Sequence, residues 1–336
     1  MEKGGTNLPP HRGRFSFGTF LTMVEPKHHS MHNKPSKPTH AYLRLHTGIL
    51  LAGATGVFGR LISLSELPLV WYRMMIAAGV LAGMLALGGR LHRPTLREAW
   101  RMGCCGALLA IHWVLFYGSI KAANVSVGVV CFALNGFFTA LLEPMASSKR
   151  FSLRHLLLGL ITLGGIVLIF GLNMQFRTGI AIGTFSSLFY TLFAIASKRV
   201  QSATGVESSA MLLHELLSGG CVLSLAMPFY AMRYPSASLL PQGSDWLFIP
   251  LFASVFTIGP FLTQLQALRS LSAFTVNLSY NLEPLYSIAL AMLLFNEAQE
   301  LNLSFWMGVS MIVAAVGYHA MCRKRNVFIM SSAKFT

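Results

Sequence analysis

Hydrophobic residues make up 54% of the 336 and charged residues only 11%, less than half the roughly 25% charged content of an ordinary soluble domain, which excludes a water-soluble globule. A formal net charge of +15 would suggest nucleic acid in a soluble protein. Here the charges are distributed as membrane topology requires, and no nucleic-acid partner is expected. Cys104, Cys105, Cys131, Cys221 and Cys322 lack metal-type spacing and read as small packing residues, so neither a metal nor a cofactor is expected.

Residues 1–41 are rich in Pro, His, Lys and Ser and read as a disordered tail. Met31 precedes an ordinary short basic tail, so the residues before it are expected to be an upstream extension. His28, His29 and His32 are poorly suited to hold a metal on so floppy a segment. Apolar runs then follow near 46–63, 68–88, 101–120, 124–145, 154–172, 178–197, 207–229, 246–267, 271–294 and 302–321. Each approaches the about 20 helical residues that cross a bilayer core. They must be helices, because lipid offers backbone groups no partner and the runs lack the alternation of a membrane barrel.

The expected fold is therefore an all-α membrane protein of ten transmembrane helices arranged as two inverted five-helix repeats. The first repeat spans 42–173 and the second 178–322, with a basic tail at 323–336. With the N-terminus cytoplasmic, only Arg60, Lys121, Arg177 and Arg233 fall outside and Arg73 lies within a span. The other 21 of the 26 Lys and Arg residues fall inside, which places both termini in the cytoplasm. Five crossings per half force the second half to enter with opposite orientation, the plan of many secondary transporters. Traces of duplication follow one order. Thr47-Gly48-Ile49 matches Thr178-Gly179-Ile180, and Phe58 matches Phe189 at the same offset. An offset of 149 lays Ser126-Val127 on Thr275-Val276, Ala140-Leu141 on Ala289-Leu290 and Gly159 on Gly308. Gly79 and Gly83, Gly179 and Gly183, Gly53, Gly56 and Gly59, Gly164-Gly165 and Gly219-Gly220 predict close helix contacts.

Charges at membrane depth need a reason. Glu283, in Tyr280-Asn281-Leu282-Glu283-Pro284, lies about twelve residues into its span, roughly 18 Å deep and near the midplane. Pro284 has no N–H to donate and frees the carbonyl of Tyr280. Such a broken helix beside an acid and an amide is a place where transporters expose backbone to solute or ion. The 149 offset sets Pro284 on Asn135, which predicts a second irregular spot facing the first. Arg73 follows Trp71 and Tyr72; it either snorkels or faces a cavity, pairing there with a solute carboxylate or with Glu283. His214-Glu215 takes the place of Arg73 in the second half, as a second protonatable site or as a structural ion pair. His112, Trp113, Gln264, Gln266 and Asn277 line a cavity or make interhelical bonds. Glu143-Pro144, near Lys149 and Arg150, reads as a helix terminus.

These features resemble the EamA-type permeases of the drug/metabolite transporter superfamily. The resemblance runs from about His46 to Met321. It rests on the five-plus-five spans, Arg73, and Asn281-Leu282-Glu283-Pro284 followed by Glu297 and Gly308. The family pattern has such a proline, a glutamate in the next loop and a glycine opening the last span. In the first half Asn135 replaces the proline and Ser148 the loop glutamate. The resemblance implies a permease of a bacterial inner membrane that moves amino acids, other metabolites or drugs, often outward and coupled to protons. Its partners would be a small-molecule solute, the lipid bilayer and protons, with the chain acting as a monomer or homodimer. Two other classes stand beside it: an intramembrane enzyme, and a channel or scaffold. Against an enzyme, Asp245 is the only aspartate, and the chain has no His-Glu-x-x-His, Gly-x-Ser-x-Gly or phosphate-loop motif.

Overall fold

The structure, a computed structural model, describes residues 38–146, 152–170, 176–280, 282–295 and scattered helical positions between 303 and 321. His28, His29, His32, Ser148, Lys149, Arg150, Asn281, Glu297 and Cys322 lie outside the described residues. The remainder is helical: α1 (Pro38–Gly53), α2 (Thr55–Leu61), α3 (Glu66–Leu87), α4 (Leu96–Ala122), α5 (Val125–Phe132), α6 (Asn135–Ala146), α7 (Leu153–Phe170), α8 (Arg177–Thr204) and α9 (Ser208–Arg233). After these come α10 (Asp245–Ala253), a π-helical turn (Ser254–Ile258), α11 (Gly259–Ser270), α12 (Ala273–Tyr280) and α13 (Glu283–Phe295). No strand occurs among the described residues.

Among the described residues, six helical stretches are long and apolar enough to cross a membrane: Glu66–Leu87, Leu96–Ala122, Val125–Ala146, Arg177–Thr204, Ser208–Arg233 and Asp245–Ser270. Their outer faces suit lipid rather than water, since Leu87, Leu225, Phe229 and Trp246 are largely exposed. Local sequence sets several ends. Thr95 and Glu98 form a reciprocal capping box that starts α4, Asn124 Oδ1 accepts from Val127 N at 2.8 Å to start α5, and Gly205, at φ +69°, ends α8 in the left-handed conformation.

Three expected spans are divided. The first begins at Pro38, inside the expected tail, because Ala41 and Leu45 dock into the core; it is interrupted at Ala54. The fourth breaks at Ala133-Leu134, where both N–H groups make three-residue turns to Val130 O and Cys131 O. The ninth breaks between Tyr280 and Glu283, and Leu282 N bonds Ser279 O at 3.1 Å. The fourth and ninth breaks fall at equivalent places under the 149 offset, as the duplication requires.

Packing follows the same exchange of halves. α4 lies along α8, and in the exchanged positions α11 lies along α1. α9 packs on α4 as α3 packs on α10 and the π turn, while the α3·α9 contact is its own counterpart. At the end of α4, Lys121 Nζ reaches Ile62 O at 3.5 Å; at the end of α11, Arg269 Nη2 reaches Val206 O at 2.8 Å. Glycines make the tight crossings possible. A Cβ on Gly48 would lie 2.2 Å from Thr263 Oγ1, and one on Gly179 would lie 2.5 Å from Ala123 Cβ. Gly53, Gly56, Gly59, Gly183, Gly219 and Gly220 are equally crowded. Gly79 and Gly83 are a correction: a Cβ on either would meet nothing within 4 Å. Their spacing is that of a helix contact, but they occupy the exposed face of α3.

Candidate functional site

A small cavity lies where α1, α2, α3, α4, α5, α8, α11, α12 and α13 converge. Arg73, His112, Trp113, Tyr117, Tyr190, Tyr280 and Glu283 line it. Its space for water centres is about 30 Å³, enough for roughly two waters, so a solute of metabolite size requires the helices to part.

Arg73 is only 2% exposed and does not snorkel. Its guanidinium lies over the Trp113 ring at 3.7 Å and near that of Phe252 at 4.3 Å. Nε donates to Thr257 Oγ1 and Nη1 to Tyr117 Oη, both at 2.7 Å. Aromatic faces attract the cation and the two acceptors fix its plane, so Arg73 stays in place without a carboxylate partner. Thr257 comes from the π turn, where its hydroxyl also bonds Phe252 O at 2.9 Å.

Glu283 opens α13 next to the buried Pro284, so the break delivers its carboxylate to the cavity. It makes no direct ion pair with Arg73: the ion pairs among the described residues are Arg90–Glu207 and His92–Glu98. Among the described residues no side-chain hydrogen bond holds the Glu283 carboxylate either. The cavity therefore holds an immobilised cation and a loosely held acid.

His112 adds a third polar group. Its Nδ1 lies 3.0 Å from Ser186 O, and Ser186 Oγ donates to His112 O at 3.0 Å. Ser186 Oγ also lies 2.9 Å from Nδ1, so Nδ1 either donates to that carbonyl or accepts from that hydroxyl, according to the tautomer. Tyr190 Oη accepts from Gln264 Nε2 at 2.6 Å, and Tyr280 Oη reaches toward Pro260 O at 3.4 Å.

The remaining sequence candidates stand apart from this cavity. Asn135 is fully buried at the first-half break, and both atoms of its side-chain amide lack a partner among the described residues. Only its carbonyl is engaged, by Thr139 Oγ1 at 2.6 Å and Thr191 Oγ1 at 3.2 Å. Asn277 donates to Thr139 Oγ1 at 2.7 Å. Glu215 is fully buried and accepts from Ser197 Oγ at 2.7 Å, while its other oxygen has no partner among the described residues. His214 turns the other way, to His92 O at 3.3 Å, so the two residues do not form the ion pair offered as an alternative. Tyr72 lines a separate groove of about 450 Å³ between α3, α9 and the 234–244 loop, with Trp71 and Met227. Glu143 sits in the last turn of α6, where an oxygen accepts from Phe274 N at 3.2 Å.

Sequence reasoning missed Tyr117, Tyr190, Phe252 and Thr257. Tyr117 had a signal, since it follows Trp113 by one helical turn and shares its face. Thr257 had none, because its direction depends on the π turn.

The sequence model of the EamA-like transporter family matches residues 41–171 and again 177–318. The chain belongs to that family, and it is an integral membrane protein of a permease class built from two repeats. A solved structure called "Crystal structure of protein" has a TM-score of 0.66 at 17% identity, covering 85% of this chain and 98% of its own; at that identity the likeness concerns the fold alone. No curated protein matches the chain.

Proposed function

We propose that this chain is a secondary active transporter that moves a small metabolite, amino acid or drug-like solute by alternating access. Ten crossings form two oppositely oriented halves, about 42–173 and 178–322, around the central cavity. The distribution of Lys and Arg supports cytoplasmic termini in a bacterial inner membrane. The observation that carries the reading is that Arg73 and Glu283 face one buried cavity beside a helix break without pairing to each other. Arg73 holds an anionic group of the solute. Glu283 takes a proton when the cavity faces the more acidic side and gives it up on the other, and Glu215 is the second candidate acid.

Counterflow in proteoliposomes tests this with a panel of labelled small metabolites. A carrier shows saturation and stimulation by unlabelled solute on the far side. Flux without trans-stimulation would identify a channel, and a chemically altered product an enzyme.

A further inference from the structure

We infer that Asp245 is the hub of a clasp that closes the cavity toward the face bearing the 62–65 and 234–244 segments, and that the opposite face is closed by a different device. This rests on the transport reading only in taking the central cavity as the route.

Asp245 is 1% exposed and starts α10 in the second half. Its Oδ1 accepts from Ser63 N at 2.9 Å, and its Oδ2 from Ser63 Oγ at 2.5 Å and Gln242 N at 3.1 Å. The neighbouring segments exchange two further bonds: Ser65 N to Ser238 O at 3.0 Å and Ser238 N to Ser65 Oγ at 3.0 Å. Tyr230 Oη donates to Glu66 Oε1 at 2.7 Å. All but the Gln242 bond join the first half to the second, and bonds to a carboxylate are charge-assisted and stronger than neutral ones.

The clasp sits at the ends of the segments that also plug the cavity. Phe58, five residues before Ser63, stacks on Phe252, seven residues after Asp245, with centroids 5.2 Å apart and planes at 17°. Phe256 lies against the same ring at 4.9 Å, and Phe252 covers the Arg73 guanidinium. Opening this face must part Phe58 from Phe252, so the bonds at Asp245 have to break first or together with it.

Exchange of the halves sets the 62–65 segment on 205–207 and the 234–244 segment on 88–95. The equivalent contact at the other end of α3 is Arg90 to Glu207, with side chains 59% and 43% exposed. Such an exposed pair contributes little. That end is joined across the halves by His214 to His92 O and, at α6 and α12, by Asn277 to Thr139 and Phe274 N to Glu143. The repeated scaffold thus carries a loop clasp at one end and a helix seam at the other.

The test uses impermeant maleimide on full-length protein in vesicles of either orientation, with Ala52→Cys, on the cavity wall, as reporter and all native cysteines replaced. Asp245→Asn is expected to raise labelling from the 62–65 face on the order of tenfold, with no rise from the opposite face. Asn277→Ala is expected to do the converse, and Arg90→Ala to change neither rate as much as twofold. Ser63→Ala, which keeps the acid and removes one bond, gives a smaller rise of the same sign and serves if Asp245→Asn does not fold. Unmoved rates in folded Asp245→Asn and Ser63→Ala, with the reporter reachable in the parent, would overturn the clasp alone. A reporter reached from neither face in any variant would overturn the route and the clasp together.

Discussion

The two helix breaks occupy equivalent places in the two halves and do different things. In the second half, Pro284 removes a donor and Glu283 turns its carboxylate into the central cavity. In the first, Asn135 keeps its N–H and carries no charge, and its amide is buried with neither atom bonded among the described residues. A duplicated scaffold supplies two bends near one depth, whereas the chemistry comes from whichever residue each copy places there. The cation also comes from the first half alone: Arg73 stands in the aromatic box, and its second-half counterpart His214 faces the 88–95 segment. The pair proposed to handle solute and proton is thus one charged residue from each repeat.

The largest effect that would sharpen this contrast is expected at Arg73. A lysine cannot lie flat on Trp113 while bonding both Thr257 and Tyr117, so Arg73→Lys should lower transport about tenfold or more with folding retained. Transport unchanged by that substitution, measured as initial flux in proteoliposomes, would show that the geometry of the box is irrelevant.

A second contrast concerns the glycines. Gly106→Ala puts a Cβ 2.2 Å from the carbonyl oxygen of Glu215, overpacking that costs about 1–3 kcal/mol and lowers the melting temperature of the purified protein. Gly79→Ala meets nothing and should leave melting unchanged or slightly raised, since alanine is the better helix former by about 1 kcal/mol. A reversed order would break the packing account.

A third effect on stability is expected at Asn135. Its buried, unbonded amide costs about 1–3 kcal/mol, so Asn135→Leu should melt no lower than the parent. A fall of several degrees would mean that the amide is bonded in the folded protein, and the contrast between the two breaks would have to be redrawn.

Much of the scaffold could be read from the sequence. Pro284 has a fixed backbone consequence, the 149 offset carried that break to Asn135, and the paired Thr-Gly-Ile segments marked Gly48 and Gly179, which both pack tightly. Burial of Arg73 was one of two readings that composition could not separate, because snorkelling and caging require the same residue near a helix end. Spacing also misassigned Gly79 and Gly83, since small residues at i, i+4 occur on lipid-facing and helix-facing surfaces alike. The π turn that brings Thr257 to Arg73 was invisible: it arises where α10 and α11 meet α3 and has no local composition of its own.

The most direct test of the account compares flux driven by a pH gradient with solute exchange at equal pH, in the parent and in Glu283→Gln. Glutamine keeps the shape and cannot take up a proton, so the variant should fold, continue to exchange solute and lose its response to the gradient. A gradient-driven flux equal to the parent's would contradict the role given to Glu283.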